Sequence, residues 1–240
     1  MEDFSNRVVD RLQEFDERSR LYAAVSPIDT RPFRSRGWIC TQYNDQGYEG
    51  ACVGFGWSHE LSARPRIVTK DADFARDIYH RARMLDQWPG EDYEGTSVLA
   101  GIKAVQEHMN SQGVPYIKSY RWAFGIQDVL RVISYGGPVV LGIDWYNGMY
   151  NPDANNFITP TDGVAGGHCI LAKHQKIVKL NPDLPADWNN LDQDKSHVRL
   201  HNSWGTSYGL GGDAFITVRN LAKLLDDGGE ACIPFNRQVA

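Results

Sequence analysis

The chain has 240 residues, 42% hydrophobic and 23% charged, with a formal net charge of -5. That composition supports one sizeable core or two closely joined lobes, and the acidic balance, with no Lys/Arg cluster among aromatics, argues against a nucleic-acid partner. No apolar run reaches the roughly 18 to 20 residues that span a bilayer, and the polar start MEDFSNRVVDRLQEFDERSR lacks the apolar core of about 7 to 15 residues of a secretory signal.

A cytoplasmic protein with no membrane partner is therefore expected. Phe4, Val8, Leu12 and Phe15 recur at helical spacing, so the first 20 or so residues read as an amphipathic helix packed on the body. Residues 1–34 are taken as this helix plus a linker, SPIDTRPFRSRG, rich in Arg and Pro. Cys52 then opens a run in which Val53, Trp57 and Leu61 share a face, ended by Arg64-Pro65. Gly54 and Gly56 each cost that helix about 1 kcal/mol relative to Ala, which close packing against a neighbour would explain. Asp71 is an N-cap for a helix through Phe74, Ile78, Ala82 and Leu85, ending near Pro89-Gly90. Thr96 or Ser97 caps another, with Val98, Ile102, Val105 and Met109 on one side.

From Gly136 the texture changes to short β-branched runs: PVVLGIDW, HCILAKH, KIVKL, HVRLHNSW and DAFITVR. The expected organisation is a mainly helical lobe over 35–135 and a mainly β lobe over 136–240. This is an α+β protein with its site in the crevice between lobes.

The four cysteines, Cys40, Cys52, Cys169 and Cys232, form no CxxC pair, so core thiols are the ordinary reading for Cys40 and Cys232. His168 and Cys169 are adjacent in a strand and point to opposite faces, which argues against a shared metal ion. GLGGD at 209–213 lacks the Lys-Ser/Thr of a phosphate loop and reads as a turn.

Cys52 is different, standing in DQGYEGACVGFGWSHE where a helix begins, a position that lowers a thiol pKa when an imidazolium is also near. Gln46 and the Cys52 amide could both donate to a developing oxyanion. GGHCIL places His168 behind two glycines, and LHNSWG places Asn202 and Trp204 at the end of another strand. An Asn carbonyl fixes an imidazole tautomer, and an indole over that bond keeps water away. Taken singly, a buried Cys, a core His and a turn Asn are ordinary; their joint order points to a thiol nucleophile.

These three blocks resemble the papain-like cysteine peptidases: DQGYEGACVGF the glutamine-to-cysteine segment, GGHCIL the histidine strand, and HNSWGTSYGLGGDAFI the asparagine hairpin. The likeness spans roughly Trp38 to Phe235. His168 follows Cys52 by 116 residues and Asn202 by 150, against about 130 to 150 in the family. The resemblance implies a papain-like two-lobed fold, with a helical left lobe and an antiparallel β-barrel-like right lobe. It implies Cys52 as nucleophile, His168 as general base and acid, Asn202 as orienting residue, Gln46 as oxyanion donor, Trp204 as shield, and Gly95 and Gly167 as substrate-side or supporting positions. No cofactor or metal is implied, and the partner is a peptide or protein substrate.

The chain departs from the pattern at Glu49, where a half-cystine is usual, at Val53, where an aromatic is usual, and at Tyr208, where a second Trp is usual. Gly167 stands where many relatives carry Asp or Asn. The 51 residues before Cys52 are too few for a typical prosegment plus the mature fold, so a protein made without a removable propeptide is expected, similar to members from actinobacteria and their phages. A phage-encoded copy could be virion-associated. Covering of the cleft by the N-terminal helix is a further expectation. A papain-fold acyl transferase or deamidase, a phage peptidoglycan endopeptidase and an inactive peptide-binding protein remain as alternatives.

Overall fold

The computed structural model describes residues 3–14, 16–26, 29–88 and 94–237. After a short strand β1 (Arg36–Gly37), helix α1 (Cys52–Leu61) buries all ten of its residues. One side, with Val53, Trp57 and Leu61, joins the cluster that includes Ile102 and Leu171, while Phe55 on the other side meets Ala75 and Tyr79. Being buried all round, with Ser58, His59 and Glu60 enclosed along with its apolar residues, it has neighbours on every side. The two helix glycines supply the close approach expected of them: a Cβ at Gly54 would lie 2.1 Å from Ala75 O, and one at Gly56 would lie 2.7 Å from Cys169 Sγ.

Helix α2 (Ala72–Leu85) starts where Asp71 accepts from Phe74 N at 2.9 Å, and α3 (Val98–Glu107) starts where Ser97 accepts from Ala100 N at 2.9 Å. Met109, expected on the α3 face, lies beyond the helix end and is exposed. The chain then forms β2 (Ile117–Trp122), α4 (Ile126–Tyr135), β3 (Val139–Tyr146), β4 (Val164–Lys176), β5 (His197–His201), β6 (Asp213–Thr217), α5 (Val218–Asp226) and β7 (Glu230–Arg237). The named strands pair antiparallel in the order β2-β7-β3-β4-β5-β6, with β1 on β4.

The sheet is buried on both faces, which is why β3 reads as a continuous apolar run. Val140, Cys169, Leu171 and Cys232 face the helical lobe, whereas Val139, Leu141, Ile143 and Ile170 join a second core with residues of α4 and α5. KIVKL does not continue as a strand: β4 ends at Lys176, and only an isolated bridge joins Lys179 to Leu191. All four cysteines are free and buried. No helix among the described residues is long and apolar enough to cross a membrane.

The N-terminal expectation needs correction. No α-helix forms over 3–14; the chain turns at Phe4–Arg7, where Arg7 N donates to Phe4 O, and runs extended from Val8, and a short 3-10 helix follows at Glu17–Leu21. Phe15 and Pro89-Gly90 lie outside the described residues. The pattern that prevails has period two: Arg7, Val9 and Arg11 are buried in alternation. Two of those three are charged, so apolar periodicity alone favoured a helix; the carboxylates that neutralise them lie far away in sequence.

Candidate active site

Cys52 is the first residue of α1, preceded by Ala51, which offers no side-chain cap. His168 lies in β4, and Asn202 follows β5 directly. His168 Nε2 donates to Asn202 Oδ1 at 2.8 Å, and the same oxygen accepts from Ser203 N at 2.8 Å. Since the carbonyl oxygen only accepts, the imidazole carries its proton on Nε2 and leaves Nδ1 as the basic nitrogen. Nδ1 is buried without a hydrogen-bond partner.

Two indoles hold the ring. Trp204 lies over His168 with centroids 5.2 Å apart, and Trp145, which sequence reasoning missed, meets it edge-on at 4.7 Å. Trp145 carried no signal beyond being the last bulky residue of an apolar run. Tyr208 packs against Trp204 at 5.0 Å and donates to Met149 O.

Gln46 is tied to the asparagine hairpin. Its backbone nitrogen donates to Ser203 O at 2.8 Å, Ser203 Oγ donates to its Oε1 at 2.6 Å, and neighbouring Asp45 bridges Trp204. Its Nε2 donates to Glu49 O at 2.8 Å and Val8 O at 3.3 Å.

Val8 belongs to the segment that fills the cleft. Arg11 N donates to Gly167 O at 2.7 Å and Leu12 N donates to Thr96 O at 3.0 Å, so the N-terminal segment runs parallel to both walls as an added strand. The glycines are required by this approach: a Cβ at Gly95 (φ +99) would stand 1.8 Å from Asp10 O, one at Gly166 2.2 Å from Val9 O, and one at Gly167 2.0 Å from Arg11 O. Arg7 makes a two-pronged pair with Asp45 at 2.6 and 3.0 Å, Phe4 stacks on Trp204 at 5.9 Å, and Ser97 Oγ donates to Glu14. The cleft is thus covered, as expected, but by an extended strand rather than a helix.

The cover sets the protonation states. Burial raises the Cys52 thiol to about 11, although the amides of Cys169 and Asp10 and the Arg11 charge pull it down. Burial likewise depresses His168 to about 4, against the Asn202 hydrogen bond that raises it. Exclusion of water thus favours the neutral form of both groups in this state.

An α+β chain in two lobes, one of helices and one built on an antiparallel sheet, is the papain-like fold, and this protein has it. The structure is similar to that of xylellain, a cysteine protease from Xylella fastidiosa (TM-score 0.62, 16% identity, covering 98% of this chain and 97% of that one). It is also similar to procathepsin L 3 of Tenebrio molitor larval midgut (0.60, 14%, covering 96% and 76%) and to procathepsin B S9 from Trypanosoma congolense (0.53, 13%, covering 97% and 83%). No protein-family model and no curated protein matches the sequence.

Proposed function

We propose that the protein is a cysteine peptidase whose residues 3–14 hold it closed. The observation that carries this is the Asn202–His168 hydrogen bond, which leaves Nδ1 unpartnered in a cleft shared with a helix-opening cysteine. Arg11 of this segment is bonded to Gly167, next to His168, and its charge acts on the Cys52 thiol. When this segment leaves, His168 Nδ1 takes the Cys52 proton, and the thiolate attacks a peptide carbonyl carbon. Gln46 Nε2 and the Cys52 amide receive the oxyanion, and His168 returns the proton to the departing amine. Water, deprotonated by His168, then cleaves the thioester and releases the acid.

Several similar structures carry the names of protease precursors, in keeping with a closed form.

The test is intact mass spectrometry after treatment with an epoxysuccinyl thiol-protease label. A single adduct on Cys52, lost in His168→Ala, is expected. Labelling of Cys52 no faster than that of Cys40 or Cys232, even after the segment is loosened by Arg7→Ala with Arg11→Ala, would leave a peptide-holding protein without catalysis.

A further inference from the structure

A second cavity lies away from Cys52, at the other end of α1. Glu60, in the last turn of that helix, stands about 12 Å along its axis from the cysteine and forms part of the wall. The arginine-rich linker, the end of α4 and the strands β2 and β7 enclose the rest, leaving a volume of about 390 Å³. Small-molecule sites run from roughly 300 to 1,000 Å³, more than a single phosphate or acetate ion fills.

Four guanidinium groups line the cavity, those of Arg31, Arg66, Arg121 and Arg131, against two carboxylates, Asp29 and Glu60. The four are scattered through the sequence, and the fold collects them in a chain whose net charge is -5.

The carboxylates do not neutralise all four. Asp29 is engaged by Arg31, which donates to it from Nε at 3.0 Å and from Nη2 at 2.6 Å. Arg121 has Ala23 O at 3.5 Å and the Phe235 ring 4.0 Å from its guanidinium carbon, and no ion pair among the described residues. Arg131 lies 5.2 Å from the Phe33 ring, and its Nε is buried without an acceptor. Asp29 and Asp128 feel the Arg131 charge, but neither pairs with it.

An aromatic face holds a cation in place without cancelling its charge, and a buried N–H without an acceptor is a net cost. One ligand relieves both: an anion whose oxygens accept from several of these planar donor forks. Val25, Val132 and Ile233 make the remaining wall apolar, which strengthens such contacts by excluding water. The backbone offers no donor beside them at the end of α4, since Gly136 N and Gly137 N donate to Val132 O and Pro138 has no N–H. Recognition there falls to the side chains.

We propose that this cavity binds a small organic anion with two or more acidic groups, phosphate or carboxylate, and that Arg121 and Arg131 are the residues that hold it. The site is separate from Cys52 and stands whether or not the chain is a peptidase.

The test is isothermal titration calorimetry on the full chain at low ionic strength, with pyrophosphate, citrate, inorganic phosphate and acetate as probes. Pyrophosphate or citrate is expected to bind at one site, about tenfold or more tighter than phosphate or acetate, and the tighter of the two names the acidic group. Arg121→Gln and Arg131→Gln are each expected to weaken that probe about tenfold or more. Arg131→Lys, which keeps the charge and loses the fork, should weaken it about threefold or more. Arg219→Gln, in the exposed pair with Asp194, controls for net charge and should stay within about twofold. Arg121, with one long side-chain hydrogen bond, carries the test if Arg131→Gln fails to fold. Equal weakening by all the glutamine variants would reduce the binding to diffuse attraction and overturn the site. So would the absence of binding, or pyrophosphate and citrate binding no tighter than the single-group ions.

Discussion

Helix α1 and the segment 3–14 meet at Cys52, and they are held there by opposite means. The helix is enclosed by apolar side chains and by backbone contacts too close for a methyl group, so nothing about it can move without repacking α2 and β4. The segment has little apolar surface beyond Phe4 and Val9, and depends on two arginines, one glutamate and a few main-chain hydrogen bonds. Interactions of the first kind are lost only with the fold, whereas those of the second kind can be exchanged for equivalent ones from water or another peptide. The contrast separates the machinery from its cover.

The largest effect expected is on the machinery itself. His168→Ala should slow label uptake or turnover at Cys52 by about 1,000-fold or more in a chain whose cover has been loosened, since nucleophile and base act as one unit. A loss below tenfold would mean that another group serves as base. Gly54→Ala comes next: with Ala75 O at 2.1 Å from the added carbon, α1 and α2 must separate, costing about 3 kcal/mol, and a denaturation midpoint equal to that of the parent would show the helix to be less fixed than argued.

The cover should respond differently. Arg7→Ala with Arg11→Ala removes three ion pairs, those to Asp45 and Asp144 being half-exposed, and should raise the Cys52 labelling rate roughly 30-fold, at about 1 kcal/mol per arginine, with little change in thermal midpoint. A large drop in midpoint without faster labelling would make the segment part of the core.

The smallest effect concerns pH. Burial takes His168 from its ordinary 6.5 down to about 4, so the covered state binds fewer protons than an opened one. The contribution of neutral His168 to the cover is therefore complete above 6.5 and lost as pH falls towards 4. Hydrogen-exchange protection of the Arg11 amide, corrected for intrinsic rate, should fall about tenfold between pH 7 and 5.5, and protection that stays flat over that interval would count against the linkage.

Much of the fold was legible because its signals are local. Asp71 and Ser97 cap helices with the hydrogen bonds their side chains suit, Gly54 and Gly56 mark close approach, and the β-branched runs beyond 136 other than KIVKL become β3 to β6. Helices α4 and α5 and strand β7 were not read, nor was β2. Ile126–Tyr135 and Val218–Asp226 are short helices beside strand-forming sequence, and their apolar faces gain meaning only against the sheet.

At the site, Cys52, His168, Asn202 and Gln46 were singled out by residue chemistry and motif order. Arg7, Arg11 and Glu230 were not: each is an ordinary charge in sequence, and its burial follows from pairing across 38 or 219 positions. Ser203, beside the motif asparagine, was passed over because its work is to bind Gln46, a contact without a sequence signature.

The cover is also tethered. Just beyond it, Trp122 N donates to Tyr22 O and Ala24 N donates to Trp122 O, so the chain is fastened again within a few residues of the cleft. Attachment at such short range gives the segment an effective concentration of the order of millimolar, whatever the concentration of the protein. Dilution therefore cannot release it, and a competing peptide must exceed that local concentration in proportion to its own affinity. A single backbone cut between residues 14 and 22 would change the problem from an intramolecular equilibrium to a bimolecular one, and the same contacts would then fail at low protein concentration.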